Sequence, residues 1–135
     1  VVAHAFTPGT HASTFGGNPL ACAAGLAVLR VLLDGKILEQ GRRMGESLAK
    51  GLASLQERHR VVKDVRGLGL LQGMELDIDG KAVVADCLAR RLLINCTGDR
   101  VLRFVPPLII TQPEIDRLLD ALSQSLSRQT ASSTH

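Results

Sequence analysis

Hydrophobic positions along the chain change their spacing several times, and each change marks an element. From Leu20 to Leu33 the residues are apolar or small nearly all round, interrupted only by Arg30. Asn18 offers an N-cap oxygen and Pro19 a first helical position with no N–H to satisfy, so a helix is predicted over about 18–33. A helix apolar on every side needs enclosure by other elements, and too little of the chain remains to enclose it. Between Ile37 and His59, Leu38, Gly41, Gly45, Leu48, Leu52 and Leu55 recur at helical spacing, with Glu, Arg, Lys and Gln on the opposite side, which predicts an amphipathic helix. The β-prone run 61–66, the turn Gly67-Leu68-Gly69 and the run 70–76 predict two adjacent strands, the second with Leu70, Met74 and Leu76 on one face. Further along, 81–91 reads as a helix, and 92–96 and 101–105 read as strands around a Gly98-Asp99 turn. Thr111 and Glu114 form a capping-box pattern ahead of Ile115, Leu118, Leu119, Leu122 and Leu126 in a last helix. The polar run from Ser127 to His135 is expected to fray.

These elements give an α+β unit, a small sheet with helices on one face, preceded by a loop and helix that belong to another part of the fold. At 135 residues and 45% hydrophobic content the chain can bury a core, which excludes disorder. The net charge of +3 is spread out, with no basic run longer than Arg42-Arg43 or Arg90-Arg91, and the aromatics are Phe6, Phe15 and Phe104 alone. Neither a phosphate-tracking stripe nor a base-stacking platform is present, so no nucleic-acid partner is expected. The longest apolar run is 14 residues with Arg30 inside it, short of the roughly 20 that span a bilayer, so no membrane partner is expected. Cys22, Cys87 and Cys96 form no C-x-x-C pair and read as reduced thiols of a cytoplasmic protein.

The densest group of reactive and small residues runs from His11 to Pro19, where Ser13, Thr14, Gly16 and Gly17 precede a helix start. Hydroxyls and glycine N–H groups at such a place suit an anion such as phosphate, although the same residues also serve as ordinary capping chemistry. Arg103 stands in the apolar strand Val101 to Val105, ahead of Pro106-Pro107. Its fork matches a carboxylate in two-pronged fashion; the residues alone leave open whether its alternate position simply faces water. His11 and His59 lack an acid or thiol at triad or metal spacing, and His4 and His135 have no context. Asp77-Ile78-Asp79-Gly80 lacks the further ligands of a calcium loop and reads as a solvated turn. The lysines 36, 50, 63 and 81 lie on solvated faces, and no metal is expected.

The run Phe6 to Ala24, the pair Val65-Arg66-Gly67-Leu68-Gly69-Leu70 and Gly73-Met74-Glu75-Leu76, and Leu93-Ile94-Asn95 through Arg103-Phe104-Val105-Pro106-Pro107-Leu108 stand in one order along nearly the whole chain. In that order they resemble the class III pyridoxal-phosphate-dependent aminotransferases, nearest to their acetylornithine branch. The resemblance implies the C-terminal part of a fold-type I enzyme: 1–33 as the end of the large cofactor-binding domain, 34–127 as the small domain and 128–135 as a flexible tail. It implies that Thr14, with Ser13, contacts the phosphate of pyridoxal 5'-phosphate in the facing subunit of a homodimer, and that Arg103 holds the α-carboxylate of the amino-acid substrate. It also implies that the Schiff-base lysine, the acid on the pyridine nitrogen and the ring-stacking aromatic lie upstream, so that this chain alone is inactive. The implied reaction is transfer of the amino group of N-acetylornithine to 2-oxoglutarate in arginine biosynthesis. Ornithine, succinylornithine or 4-aminobutyrate is an alternative donor, and a non-catalytic α+β interaction domain is the alternative from another class. One departure is Ala12, where the family usually has Gly; a methyl fits an extended backbone there and would strain a positive φ.

Overall fold

The computed structural model describes residues 2–132. The chain divides into two compact units, Val1–Lys36 and Ile37–His135. The first holds a 3-10 turn (Val2–Ala5), a loop, and helix α1 (Pro19–Asp34). Asn18 caps α1 as expected: its Oδ1 accepts from the Ala21 N–H at 2.9 Å while its Nδ2 donates to the Phe15 carbonyl at 2.6 Å. None of α1's residues is buried, and Leu20, Leu26, Leu29 and Leu33 all remain exposed.

The second unit contains α2 (Ile37–Arg58), β1 (Val62–Leu68), β2 (Leu71–Leu76), α3 (Gly80–Ala89), β3 (Asn95–Thr97), β4 (Val101–Phe104) and α4 (Gln112–Ser132). Its sheet has the order β1-β2-β4-β3 and every neighbouring pair is antiparallel. Alternation along the strands divides the residues cleanly. Gln72, Met74 and Leu76 of β2 and Leu102 and Phe104 of β4 are buried, whereas Leu71 and Arg103 are exposed. The buried face meets Leu48, Leu52 and Leu55 of α2, Val83 and Cys87 of α3, and Ile115, Leu122 and Leu126 of α4 in one core. Each such fully buried aliphatic side chain contributes on the order of 1.5–3 kcal/mol, so the sheet-on-helix contact is the main source of cohesion in this unit.

Two glycines set how closely the layers approach. A Cβ on Gly45 of α2 would lie 2.6 Å from the carbonyl carbon of Gly69, in the two-residue turn between β1 and β2, where Gly69 itself has φ +57°. The helix can rest on that turn because Gly45 carries no side chain; a Cβ on Gly69 would meet nothing within 4 Å, and glycine is favoured there by the positive φ alone. Gln72, buried beneath the turn, satisfies its amide by donating to the Gly69 carbonyl at 2.7 Å.

Three boundaries differ from those read in the sequence. Leu92–Ile94 are not strand; β3 begins only at Asn95. The N–H groups of Arg91 and Leu92 are used in closing α3, on Leu88 and Cys87 carbonyls, with Arg91 at φ +62°, so the head of the expected strand is tied to the helix end and not to a ladder. Leu70 sits in the turn and not on β2, although it is buried as expected. The segment read as a frayed, flexible tail from Ser127 (or 128) is helical as far as Ser132, because no Gly or Pro intervenes to end the helix, and the Ser127 hydroxyl donates to the Ser123 carbonyl at 2.9 Å. The rest of that tail, 133–135, lies outside the described residues. Ala12 is not among the positive-φ residues, so its methyl imposes no backbone strain.

Gly45→Ala is expected to lower stability by about 1 kcal/mol or more, since overpacking against backbone costs roughly 1–3 kcal/mol and helix propensity returns at most about 1. The shift of the urea midpoint measures it. Ser125 is fully buried in α4 and its hydroxyl has no hydrogen-bond partner among the described residues. Ser125→Ala should therefore leave the midpoint unchanged or raise it, by up to about 1–2 kcal/mol.

Candidate functional site

The loop before α1 is held by its own short-range bonds. Thr10 Oγ1 donates to the Thr7 carbonyl at 2.7 Å and accepts from the Thr7 N–H at 3.1 Å, and the Phe6 and His11 rings meet edge to face at 5.9 Å. Ser13 Oγ accepts from the Gly16 N–H at 2.9 Å. A Cβ on Gly16 would come within 2.8 Å of that oxygen, so glycine is what permits the turn. Because Ser13 accepts in this bond, its hydroxyl proton stays available, and the Thr14 hydroxyl has no partner among the described residues. Residues 1–33 contain no Asp or Glu. Two free hydroxyl donors on an exposed turn without carboxylates fit a phosphate; they do not fit a cation.

Arg103 lies on the sheet face turned away from the helices. Across the ladder it stands opposite Gly73 of β2 and opposite Asn95 of β3. The same row continues to Arg66 of β1, which pairs with Gly73 from the other side. Arg66 is engaged: its Nη1 donates to Asp64 at 2.6 Å and to Glu75 at 2.8 Å, and these two carboxylates, Asp64 foremost, raise its pKa. Arg103 makes no hydrogen bond or ion pair among the described residues. Gly73 itself places no side chain between the two arginines, and Val101 Cγ1 would lie 3.6 Å from a Cβ there.

Arg103 also borders a cleft of about 550 Å³ whose walls are apolar, among them Leu92, Ile94, Phe104, Pro106 and Ile110, with Glu114 at its edge. Glu114 is not a counter-ion for Arg103. Its Oε2 accepts from both the N–H (2.8 Å) and the hydroxyl (2.7 Å) of Thr111 at the start of α4, and these bonds, the hydroxyl's first, hold its pKa below the usual value. An unpaired guanidinium at the lip of an apolar cleft is suited to a small carboxylate.

Ser13 and Thr14 fall in the first unit and Arg103 in the second, so each cluster stands by itself. The other candidates have structural roles. Asp79 caps α3, accepting from the Lys81 N–H at 2.8 Å, and Asp77 pairs with Lys63 at 2.8 Å. His59 Nε2 lies 3.3 Å from Ser123 Oγ, and burial, assisted by Arg58, lowers its pKa. Burial raises the pKa of the Cys87 and Cys96 thiols. All four lysines are exposed. What sequence reasoning missed is the row itself: Arg66, Gly73 and Asn95 gain meaning only from the strand register, which two-residue alternation does not specify between strands.

Residues 1–126 match the family model for aminotransferase class-III, and the chain belongs to that family. It is 51% identical over 123 residues to the acetylornithine aminotransferase of Caldanaerobacter subterraneus subsp. tengcongensis, covering 90% of this chain and 31% of that protein. It is 45% identical over 122 residues to the ornithine aminotransferase of Staphylococcus carnosus, covering 90% and 30%. Among solved structures it resembles the ornithine aminotransferase of Toxoplasma gondii, with a TM-score of 0.85 and 36% identity over 97% of this chain and 32% of that one. It resembles the acetylornithine aminotransferase of Elizabethkingia anophelis with a TM-score of 0.82 and 30% identity, over 94% and 34%. The chain thus spans about a third of the length of the relatives it matches. No helix among the described residues is long and apolar enough to cross a membrane.

The Thr111–Glu114 cap fixes where α4 begins beside the cleft. A carboxylate with a lowered pKa stabilises the fold fully above its ordinary value of 4.5 and loses that contribution as pH falls through the folded value. Glu114→Gln should therefore weaken unfolding resistance at pH 7 and flatten its decline on acidification; melting curves of both forms from pH 7 to pH 3 give the comparison.

Proposed function

We propose that the chain is the C-terminal part of a pyridoxal-phosphate-dependent aminotransferase that moves the amino group of N-acetylornithine to 2-oxoglutarate in arginine biosynthesis. The observation that carries the reading is Arg103, an unpaired guanidinium on an open strand face beside an apolar cleft. Acetylornithine aminotransferases predominate among the relatives that it matches, which favours N-acetylornithine over ornithine as the donor.

The chain's own residues supply position and charge. Arg103 takes the substrate carboxylate in its fork, fixing the amino group at the reacting end. Thr14, with Ser13, donates hydroxyl protons to the cofactor phosphate of the facing subunit in a homodimer. Pyridoxal phosphate, when bound, supplies the electron sink that permits the amino group to leave one carbon skeleton and join another. The Schiff-base lysine belongs to the remainder of the full-length protein, so this chain alone is inactive. Helix α1, with none of its residues buried here, packs into that remainder as the end of the large domain, while the unit from Ile37 is the small C-terminal domain. The three free cysteines, read as reduced thiols, favour the cytoplasm.

The test uses the full-length protein purified with pyridoxal phosphate, following glutamate formed from N-acetylornithine and 2-oxoglutarate. Arg103→Ala should raise KM for the carboxylate substrates about tenfold or more, the loss expected for one charge-assisted pair. Thr14→Ala should weaken cofactor retention on gel filtration while leaving substrate KM nearly unchanged at saturating cofactor. Ornithine turning over faster than N-acetylornithine would move the substrate to the second donor. No transamination with any ω-amino donor would sink the reading.

A further inference from the structure

On the β3 side of Arg103, the strand register sets a second polar side chain. Asn95, the first residue of β3, stands directly across the ladder from Arg103, so the two side chains leave the same face of the sheet. Residues opposed in this way have Cβ atoms about 4.5–5.5 Å apart. Both border the same apolar cleft, where Asn95, Arg103, Glu114 and Arg117 are the polar side chains among the described residues. Glu114 and Arg117 are committed to the framework: the first is held by Thr111, and the second donates to the Arg90 carbonyl at 3.1 Å. The Asn95 carboxamide has no hydrogen bond among the described residues. The chain's other asparagine, Asn18, uses its carboxamide to start α1, the local backbone service that accounts for this residue at caps and turns. Asn95 sits in a strand, where asparagine is disfavoured, and performs no such service.

We propose that Asn95 is a substrate-binding residue that donates an amide N–H to the carboxylate bound at Arg103. The inference rests on the carboxylate-binding reading of Arg103. An ionised carboxylate offers about four acceptor positions, and a two-pronged guanidinium fills two of them. Beside apolar walls the remaining positions lose water and need another donor. A carboxamide across the ladder supplies one without adding a second cation. It also rejects a neutral or cationic group no more strongly than water does, so the charge selection stays with Arg103 while Asn95 fixes the plane in which the carboxylate lies.

In the full-length holoenzyme, KM and kcat for 2-oxoglutarate, Ki for glutarate as a competing dicarboxylate, and Tm are measured for wild type, Asn95→Ala, Asn95→Asp and Arg103→Ala. Asn95→Ala should raise KM and Ki together by about three- to tenfold, the loss expected for one neutral hydrogen bond, with kcat and Tm close to wild type. Asn95→Asp keeps the shape, removes the donors and adds a charge of the substrate's own sign, so it should raise both constants further. Asn95 is exposed, so both variants are expected to fold, and Asn95→Asp retains the native size if Ala perturbs the strand. Unchanged KM and Ki in Asn95→Ala, an Asn95→Asp enzyme that binds as tightly as wild type, or a rise in KM without one in Ki overturns the inference, while Arg103→Ala still reports on the carboxylate site. An unchanged KM in Arg103→Ala overturns the carboxylate reading, and this inference with it.

Discussion

The cross-strand pair of Met74 and Leu102, both fully buried, is the constraint on which the rest of the second unit depends. It lies in a row with Val65 and Cys96, and that row presses the sheet onto the helices behind it. Once Met74 and Leu102 face inward, the pleat turns the next residues outward, and Gly73 and Arg103 must share the open face. A slip of one residue in this register would bury a guanidinium among leucines, at a cost that the core could not offset. The packing of the core and the exposure of the candidate binding residue are therefore one fact seen from two sides of a sheet.

Small residues do comparable work where layers or turns come close. Gly45 lets α2 rest on the Gly69 turn, and Gly16 lets the Ser13 hydroxyl fold back on its own loop. A methyl group would meet backbone of the turn in the first place and the Ser13 side chain in the second. The first contact fixes the sheet against its longest helix, and the second shapes an exposed turn whose hydroxyl donors suit an anion.

Electrostatics on the open face is arranged by sequestration. Two carboxylates converge on Arg66, Glu114 is drawn into the cap of α4, and Arg103 has no partner among the described residues. Exposed ion pairs of this kind add little to stability. Their value in a binding site is to decide which charges remain available.

Periodicity in the sequence determined most of the elements, because amphipathic spacing and capping residues act locally: α2 was readable from leucines and glycines at helical intervals, α1 from Asn18-Pro19, and the start of α4 from Thr111 and Glu114. The family, too, was legible, since its motifs keep one order along the chain. The start of β3 at Asn95 was not, because the bond from the Leu92 N–H that closes α3 ties the head of that run to the helix, and the apolar run Leu92–Ile94 carries no sign of that competition. Nor could alternation within β4 say which residues of other strands lie beside Arg103. Register is a property of two strands at once, set by how the buried row packs on the helices, so only the tertiary structure placed Arg66, Gly73 and Asn95 in line with Arg103 and gave Glu75 to one arginine rather than the other.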